Sequence, residues 1–231
     1  MQAIVLAGGF GKRLSGVIDD VPKPMAKVDG IPFLEIVAHD LCNKGITSIV
    51  MAVGYKKEII MSYFGYRYRN MDVCYSEEDS PLCTGGAVKK AFRHITDDHA
   101  FVINGDTYFD VNLETMNHEY IKRGMPICIA VKEMTDFSRY GEVKVGSNGL
   151  ALGFEEKKHC RRGYINGGTY ILRKNCVINI SADVFSLESD YFPYKAEEGE
   201  IYAYIEHGKF IDIGIPEEYE RAQTLLKGFM T

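Results

Sequence analysis

Several absences narrow the possibilities at once. The six cysteines (42, 74, 83, 128, 160 and 176) form no Cys-x-x-Cys pair, and the six histidines show no paired spacing. Zinc sites of recognisable spacing and dithiol redox motifs are therefore excluded. No apolar run reaches transmembrane length, and Met1 leads directly into a strand-like segment with no charged leader before it. There is no basic excess: 27 Lys and Arg stand against 32 Asp and Glu, for a net charge of -5, whereas nucleic-acid binders usually carry a positive surplus. No Ser-His-Asp or Cys-His arrangement is supported. No internal repeat, low-complexity stretch or linker interrupts the chain.

What these absences leave is a cytoplasmic globular chain with neither a nucleic-acid nor a membrane partner. Its cysteines are expected to be reduced, buried thiols. At 231 residues, 46% apolar and 26% charged, it is long enough for one domain, 1–231, with a real core. Association into a homo-oligomer stays open. The acidic total has a further consequence: an anionic ligand must be met by locally gathered Lys and Arg.

The first fourteen residues do gather them. Met1-Gln-Ala-Ile-Val-Leu6 is an apolar run, and Ala7-Gly8-Gly9-Phe10-Gly11-Lys12-Arg13-Leu14 follows it immediately. A buried strand running into a glycine-rich basic turn is the layout of a phosphate cradle. The dinucleotide fingerprint fails, because Leu14 sits where its third glycine belongs. The P-loop fails too, because Arg13 follows Gly-Lys in place of Ser or Thr. On local pattern alone, a strand ending in a tight turn remains an alternative.

Along the first half, strand-like and helix-like segments alternate. Strands are expected at 2–6, 48–53, 72–75 and 100–103. Helices are expected at 33–41 with Gly45 as a stop, at 56–64, at 84–92 with Thr84 as N-cap, and at 112–122. That alternation implies a mostly parallel sheet covered by helices. The second half is richer in strands, at 126–132, 141–145, 150–155, 164–172, 201–205 and 209–213. A last helix runs from Pro216 to about Phe229.

Two aspartates stand out. Val102-Ile-Asn-Gly-Asp106 places a carboxylate at a strand's C-terminal end, the edge where open α/β sheets bind ligands. A carboxylate there can ligate Mg²⁺; it can equally be a plain turn aspartate. Asp212, in Phe210-Ile-Asp-Ile-Gly214, lies between apolar residues, where carboxylates are seldom left unpaired.

Leu6-Ala-Gly-Gly-Phe-Gly-Lys-Arg-Leu14 followed by Pro22-Lys23-Pro24-Met25 resembles the signature of the sugar-1-phosphate nucleotidyltransferases, L-A-G-G-x-G-x-R-L with P-K-P about ten residues later. The likeness extends over essentially the whole chain. It implies a single-domain α/β fold, Rossmann-like and of the GT-A kind, with a mixed, mostly parallel sheet covered by helices on both faces. Its nucleotide-binding half would be roughly 1–110 and its sugar-phosphate half roughly 111–231. Phe210 to Tyr219 resembles the family's F-x-D-I-G-T-P-E-x-Y, with Ile215 replacing the usual Thr. Glu78 to Ala87 resembles the segment that lines the nucleobase pocket, with Cys83 replacing a glycine and no glutamine ahead of the turn. In this it is most similar to the guanylyltransferases for mannose- and heptose-type 1-phosphates, although nothing in these residues excludes uracil or cytosine. Tyr140-Gly-Glu-Val143, Phe154-Glu-Glu-Lys157 and Asn166-Gly-Gly-Thr-Tyr170 resemble the sugar-side motifs. The acyltransferase tail of hexapeptide repeats that some members carry is not seen.

The resemblance implies transfer of a nucleotidyl group from GTP, or another nucleoside triphosphate, to a sugar 1-phosphate. Arg13 and Lys23 would be catalytic. Leu6, Ala7, Gly8, Gly9, Gly11, Glu78, Gly85 and Gly86 would bind the nucleotide. Gly141, Glu155, Lys157, Asn166 and Gly167 would bind the sugar phosphate, and Asp106 and Asp212 would hold Mg²⁺. The basic run Lys157-Lys-His-Cys-Arg-Arg162 would add positive field for an anionic sugar, unless it is simply a solvated loop. A non-catalytic nucleotide-sugar sensor on the same scaffold is the alternative from another class.

Overall fold

The computed structural model describes residues 1–9 and 20–230. Gly11, Lys12, Arg13 and Leu14 of the basic turn lie outside the described residues. The first half runs β1 (Gln2–Leu6), a helical turn at Lys23–Met25, β2 (Lys27–Val28), β3 (Ile31–Pro32), α1 (Phe33–Asn43), β4 (Ser48–Val53), α2 (Lys57–Phe64), β5 (Arg67–Tyr68), β6 (Met71–Glu77), α3 (Cys83–Ala91), β7 (His99–Asn104), β8 (Thr107–Phe109) and α4 (Leu113–Arg123). The second half runs β9 (Ile127–Phe137), β10 (Glu142–Val145), β11 (Ala151–Glu155), β12 (Cys160–Arg173), α5 (Lys174–Ile178), a wide helical turn at Leu187–Tyr191, α6 (Phe192–Glu197), β13 (Ile201–Glu206), β14 (Phe210–Asp212) and α7 (Pro216–Leu225).

The main sheet has the order β11-β10-β12-β7-β1-β4-β6-β5, with β9 added to β12 and β13 to β9. β6, β4, β1 and β7 are parallel neighbours. Each needs a crossover to return to the same edge, and the helices supply it. β12 then runs antiparallel to β7, β9 and β10. It is long enough to serve β10 with Tyr164 and Ile165 and β7 with Thr169 to Arg173. Its pairing with β9 shifts register between Asn166 and Tyr170, and Gly168 takes φ +70° there. A bulge of this kind bends the strand and re-aims its side chains.

Strand alternation decides which core each residue joins. Ala3 and Val5 pack under α1, α2, α4 and α7, while Ile4 packs with Val88, Val177 and Phe192 of α3, α5 and α6. Helices therefore cover both faces, as the alternating pattern requires. Among the described residues no helix is long and apolar enough to cross a membrane.

Two expectations need correction, and one stretch holds elements that were not expected. Thr84 is not a cap: α3 starts at Cys83 with no side-chain cap, and the Thr84 hydroxyl instead serves Leu187 and Glu188. All six cysteines are free, but only Cys128 is buried and Cys83 is exposed. The stretch 174–200, which shows no readable element in sequence, holds α5, the wide turn and α6. Helices of five or six residues are too short to show a period. Elsewhere α4 follows the expected rules, with Asn112 Oδ1 accepting from the Thr115 N–H and Gly124 closing the helix at φ +65°.

Gly86 joins α3 to the segment before the wide turn. A Cβ at this position would lie 2.1 Å from the Asp183 carbonyl oxygen. Backbone cannot move aside as a flexible side chain can, so Gly86→Ala should destabilise the protein by about 1–3 kcal/mol. For a chain of this size that lowers Tm by roughly 2–4 °C per kcal/mol. Calorimetry on the variant checks it; an unchanged Tm would mean that this packing is looser than described.

Candidate active site

Parallel strands end on one edge of the sheet, and the site forms there. β1 delivers Leu6, Ala7, Gly8 and Gly9. β6 delivers Glu78. β7 delivers Asn104 and, one turn on, Asp106. These residues line a single cleft together with Lys23, Gly141, Glu155, Lys157, Asn166 and Asp212. Its volume of about 1390 Å³ exceeds the usual range for one small-molecule site and leaves room for two substrates.

The glycine turn is seated by its neighbours. The Ala7 N–H donates to the Ala52 carbonyl at 2.8 Å, and the Gly105 N–H donates to the Leu6 carbonyl at 2.9 Å. A Cβ on Gly8 would come within 2.8 Å of Glu78 Oε1. Glycine lets the turn lie against that carboxylate without displacing it. Glu78 Oε2 accepts from the Leu82 N–H at 3.1 Å, while among the described residues no backbone group bonds Oε1. Burial raises the Glu78 carboxyl above the ordinary carboxylate range, opposed by the Leu82 hydrogen bond and by Lys90.

The two aspartates meet through a small second sheet. β14 pairs antiparallel with β8 and sets Asp212 opposite Thr107, and the Ile213 N–H donates to the Asp106 carbonyl at 3.0 Å. Lys23, from the helical turn at Lys23–Met25, donates to Asp106 Oδ2, and its Nζ lies 3.9 Å from Asp212 Oδ1. Asp212 is braced further. Arg139 Nη2 donates to Oδ2 at 2.7 Å, and the Gly214 N–H donates to Oδ1 at 2.7 Å. The Arg139 guanidinium rests over the Tyr140 ring, 5.2 Å from its centroid. Burial, and then the nearby Asp106 charge, hold the Asp212 carboxyl above its ordinary value, while Lys23 and Arg139 pull the other way.

Two carboxylates that repel each other and converge on one cationic point, both open to the cleft, are a hard-oxygen donor set. Such a set suits a small divalent cation such as Mg²⁺, which takes one or two carboxylates and fills its shell with phosphate oxygens and water. Among the described residues no third His, Cys, Asp or Glu joins them. The remaining ligands would come from substrate and solvent.

The other expected site residues divide. Gly141, Glu155, Lys157 and Asn166 line the cleft. Glu155 sits opposite Glu142 across β10 and β11 and forms an ion pair with Lys158, with an N···O distance of 2.5 Å. Asn166 Oδ1 accepts from the Gly168 N–H at 2.9 Å and so holds the bulge. Of the basic run, Lys157 faces the cleft, whereas Lys158 and Arg162 are taken up by Glu155 and Glu133. Gly85, Gly86 and Gly167 are not brought to the cleft wall. The Gly85 and Gly86 N–H groups both donate to the Phe185 carbonyl, at 2.9 and 3.2 Å, so they are unavailable to a base. Gly167 is buried, and a Cβ there would strike the Phe109 ring at 2.3 Å. Pro81, Cys83, Thr84 and Ala87 present that turn to the cleft instead. Gly11 and Arg13 lie outside the described residues.

Four residues escape the sequence reading. Asn104, Tyr170 and Glu188 line the cleft, and Arg139 braces Asp212. Asn104 lies two residues before Asp106, Tyr170 closes the Asn166-Gly-Gly-Thr-Tyr motif, and Arg139 directly precedes the Tyr140-Gly-Glu motif. Adjacency was the available signal for these three. Glu188 had none, since its segment showed no readable period.

Comparison with known proteins identifies relatives of this chain. The family model described as nucleotidyl transferase matches residues 2–227. A D-glycero-alpha-D-manno-heptose 1-phosphate guanylyltransferase from Aneurinibacillus thermoaerophilus is 41% identical over 231 residues, covering 100% of both chains. A protein of the same name from Campylobacter jejuni is 42% identical over 224 residues, covering 95% of this chain and 97% of its own. Among solved structures, HddC from Yersinia pseudotuberculosis complexed with GMP-PN superposes with a TM-score of 0.88 at 35% identity, over 98% of this chain and 99% of that one. Matched along nearly its whole length in sequence and in fold, this chain belongs to the nucleotidyl transferase family and is an enzyme of the sugar-1-phosphate nucleotidyltransferase kind.

Proposed function

We propose that this enzyme transfers a guanylyl group from GTP to a heptose 1-phosphate of the D-glycero-α-D-manno type, giving the GDP-sugar and pyrophosphate, and that Mg²⁺ is its cation. The relatives at 41% and 42% identity carry that name. The observation that carries the chemistry is the convergence of Asp106 and Asp212 on Lys23, in the cleft that the glycine turn also lines. The part from residue 1 to about 110 serves the nucleotide, and the remainder serves the sugar phosphate.

An oxygen of the sugar 1-phosphate attacks the α-phosphorus, and the bond from that phosphorus to the bridging oxygen breaks as pyrophosphate leaves. The nucleophile is already an anion, so no general base is needed. The barrier is repulsion between two polyanions, and the protein lowers it by position and charge. The Gly8-Gly9 turn receives the triphosphate. Lys23 leaves the aspartates for the phosphates. Arg13, from the same basic turn, adds charge to the leaving group. Lys157 holds the attacking phosphate as a compact point charge. Asp106 and Asp212 would hold Mg²⁺, which would supply Lewis-acid charge to the phosphate oxygens.

Glu78 accounts for the base. An ionised carboxylate only accepts hydrogen bonds. Guanine offers it two adjacent donors, N1–H and the N2 amino group, whereas the uracil N3–H is flanked by carbonyl oxygens that a carboxylate repels. An amide, with one donor and one acceptor, suits uracil better. Six free thiols accord with a reducing, cytoplasmic setting.

Four outcomes test this reading. A panel of nucleoside triphosphates against heptose and hexose 1-phosphates should release pyrophosphate best with GTP and the heptose; release with no pair would support the sensor instead. Asp106→Asn should abolish turnover and weaken Mn²⁺ binding followed by EPR, with the circular dichroism spectrum unchanged; undiminished Mn²⁺ affinity would remove the metal role. Glu78→Gln should cut kcat/KM for GTP about 10- to 100-fold, the effect of losing a hydrogen bond worth about 1.5–3 kcal/mol to a charged group, while use of UTP improves. In the wild type, the raised Glu78 carboxyl takes up its proton early on acidification. KM for GTP should therefore climb as pH falls, beginning above the ordinary carboxylate range, and Glu78→Gln should flatten that profile.

A further inference from the structure

Glu188, in the wide turn Leu187–Tyr191, has no part in the chemistry described so far. Its carboxylate faces the cleft and is held by three hydroxyls. Thr84 Oγ1 donates to Oε2 at 2.5 Å, Ser186 Oγ donates to Oε2 at 3.0 Å, and the Tyr170 hydroxyl donates to Oε1 at 3.2 Å. Among the described residues no ion pair neutralises it. Oε2 is well supplied, but Oε1 has a single longer bond and keeps lone-pair capacity. Close by, at the end of β7, Asn104 also lines the cleft, and its Oδ1 is buried without a partner. An unpaired buried acceptor is costly, and two acceptors short of donors call for a ligand that brings them.

The position and rigidity of the carboxylate narrow the choice of ligand. The Gly85 and Gly86 N–H groups fasten the Phe185 carbonyl, the Leu187 N–H donates to Thr84 Oγ1 at 2.9 Å, and Ser186 Oγ caps the turn by accepting from the Glu188 and Ser189 N–H groups, each at 3.2 Å. The carboxylate is thus set before any ligand arrives. Phosphate oxygens only accept, and a carboxylate repels them. Thr84 ties Glu188 to the end of the Glu78–Ala87 segment, but Asn104 and Tyr170 lie on β7 and β12, with β1 and β4 between them and β6, which Glu78 follows. A sugar ring presents hydroxyls that donate, in vicinal pairs that a carboxylate can bridge.

We propose that Glu188, with Asn104 beside it, is the specificity-determining acceptor that reads the ring hydroxyls of the sugar 1-phosphate. The assignment rests on the function proposed above and adds a requirement for free vicinal hydroxyls facing this wall.

The test compares wild type with Glu188→Gln, which keeps the size and one acceptor for Thr84, and with Asn104→Ala. Initial rates are measured with GTP and the preferred sugar 1-phosphate, and again with a series of its monodeoxy analogues. The expected result is at least a tenfold rise in KM for the sugar phosphate in Glu188→Gln, with KM for GTP within twofold of wild type and Tm unchanged. One deoxy analogue should erase the difference between variant and wild type, because the hydroxyl that Glu188 takes is already missing. Asn104→Ala should raise the same KM. The assignment is overturned if the loss falls on GTP and disappears with 2′-deoxy-GTP, which would make Glu188 a ribose contact. It is overturned equally if every analogue loses by the same factor or if both KM values are untouched. Wild type that turns over no sugar phosphate at all would take down the proposed function; wild-type turnover unaltered in Glu188→Gln would overturn this inference alone.

Discussion

The site depends on the pairing of two very short strands. β8 and β14 meet for three residues each, and that pairing sets Asp212 across from Thr107, beside Asp106. A slip of one residue would turn Asp212 to the other face. Two like charges brought so close cannot stay together unaided. Lys23 stands between them, Arg139 and the Gly214 N–H hold Asp212, and the Thr107 hydroxyl lies 3.3 Å from Asp106. The Tyr140 ring backs Arg139, so the brace is itself fixed in place. Raised by burial and by its twin, the Asp212 carboxyl gains from any cation that enters the gap.

Charge is used locally in an acidic protein. The net charge of -5 gives no overall attraction for polyanions. Cationic groups line the cleft instead, Lys23 at the aspartate pair and Lys157 beyond β11, where the proposed reaction would bring the anions. Other cations are spent internally, as Lys144 on Glu142 and Lys158 on Glu155. Two carboxylates of the cleft lining would do the opposite work. In the proposed reading, Glu78 behind Gly8 and Glu188 beside Tyr170 would face parts of a ligand that carry donors and not phosphate. A nucleotide and a sugar phosphate would thereby be divided into charged and hydroxyl or amide portions, each met by the opposite type of group.

Glycines do two different jobs here. Gly8 permits a ligand-facing turn to lie on Glu78. Gly85, Gly86 and Gly167 permit internal close packing, against Phe185, the Asp183 carbonyl and Phe109. In sequence the two kinds look the same, because a glycine motif records only that a side chain is unwelcome. Whether a ligand or the protein's own backbone fills the space depends on the neighbouring segment. For Gly85 and Gly86 that segment begins nearly a hundred residues later in the chain.

The sequence alone determined the alternation of strands and helices in the first half, because hydrophobic period and glycine stops are local properties. β4 occupies 48–53 as its β-branched run requires, and helices cover both sheet faces. It also marked Asp106 by its place at the end of an apolar strand and Asp212 by its apolar neighbours, while Lys23 was marked only through the resemblance of Pro22-Lys23-Pro24 to a family signature. Tertiary structure decided what long-range contact decides. The β8–β14 pairing made two distant aspartates one site, and the 174–200 segment brought Glu188 to Thr84 and Tyr170. It also withdrew Gly85, Gly86 and Gly167 from the cleft. Each of these outcomes depends on which remote atom fills a given space, and that is a property of packing that no local stretch of sequence carries.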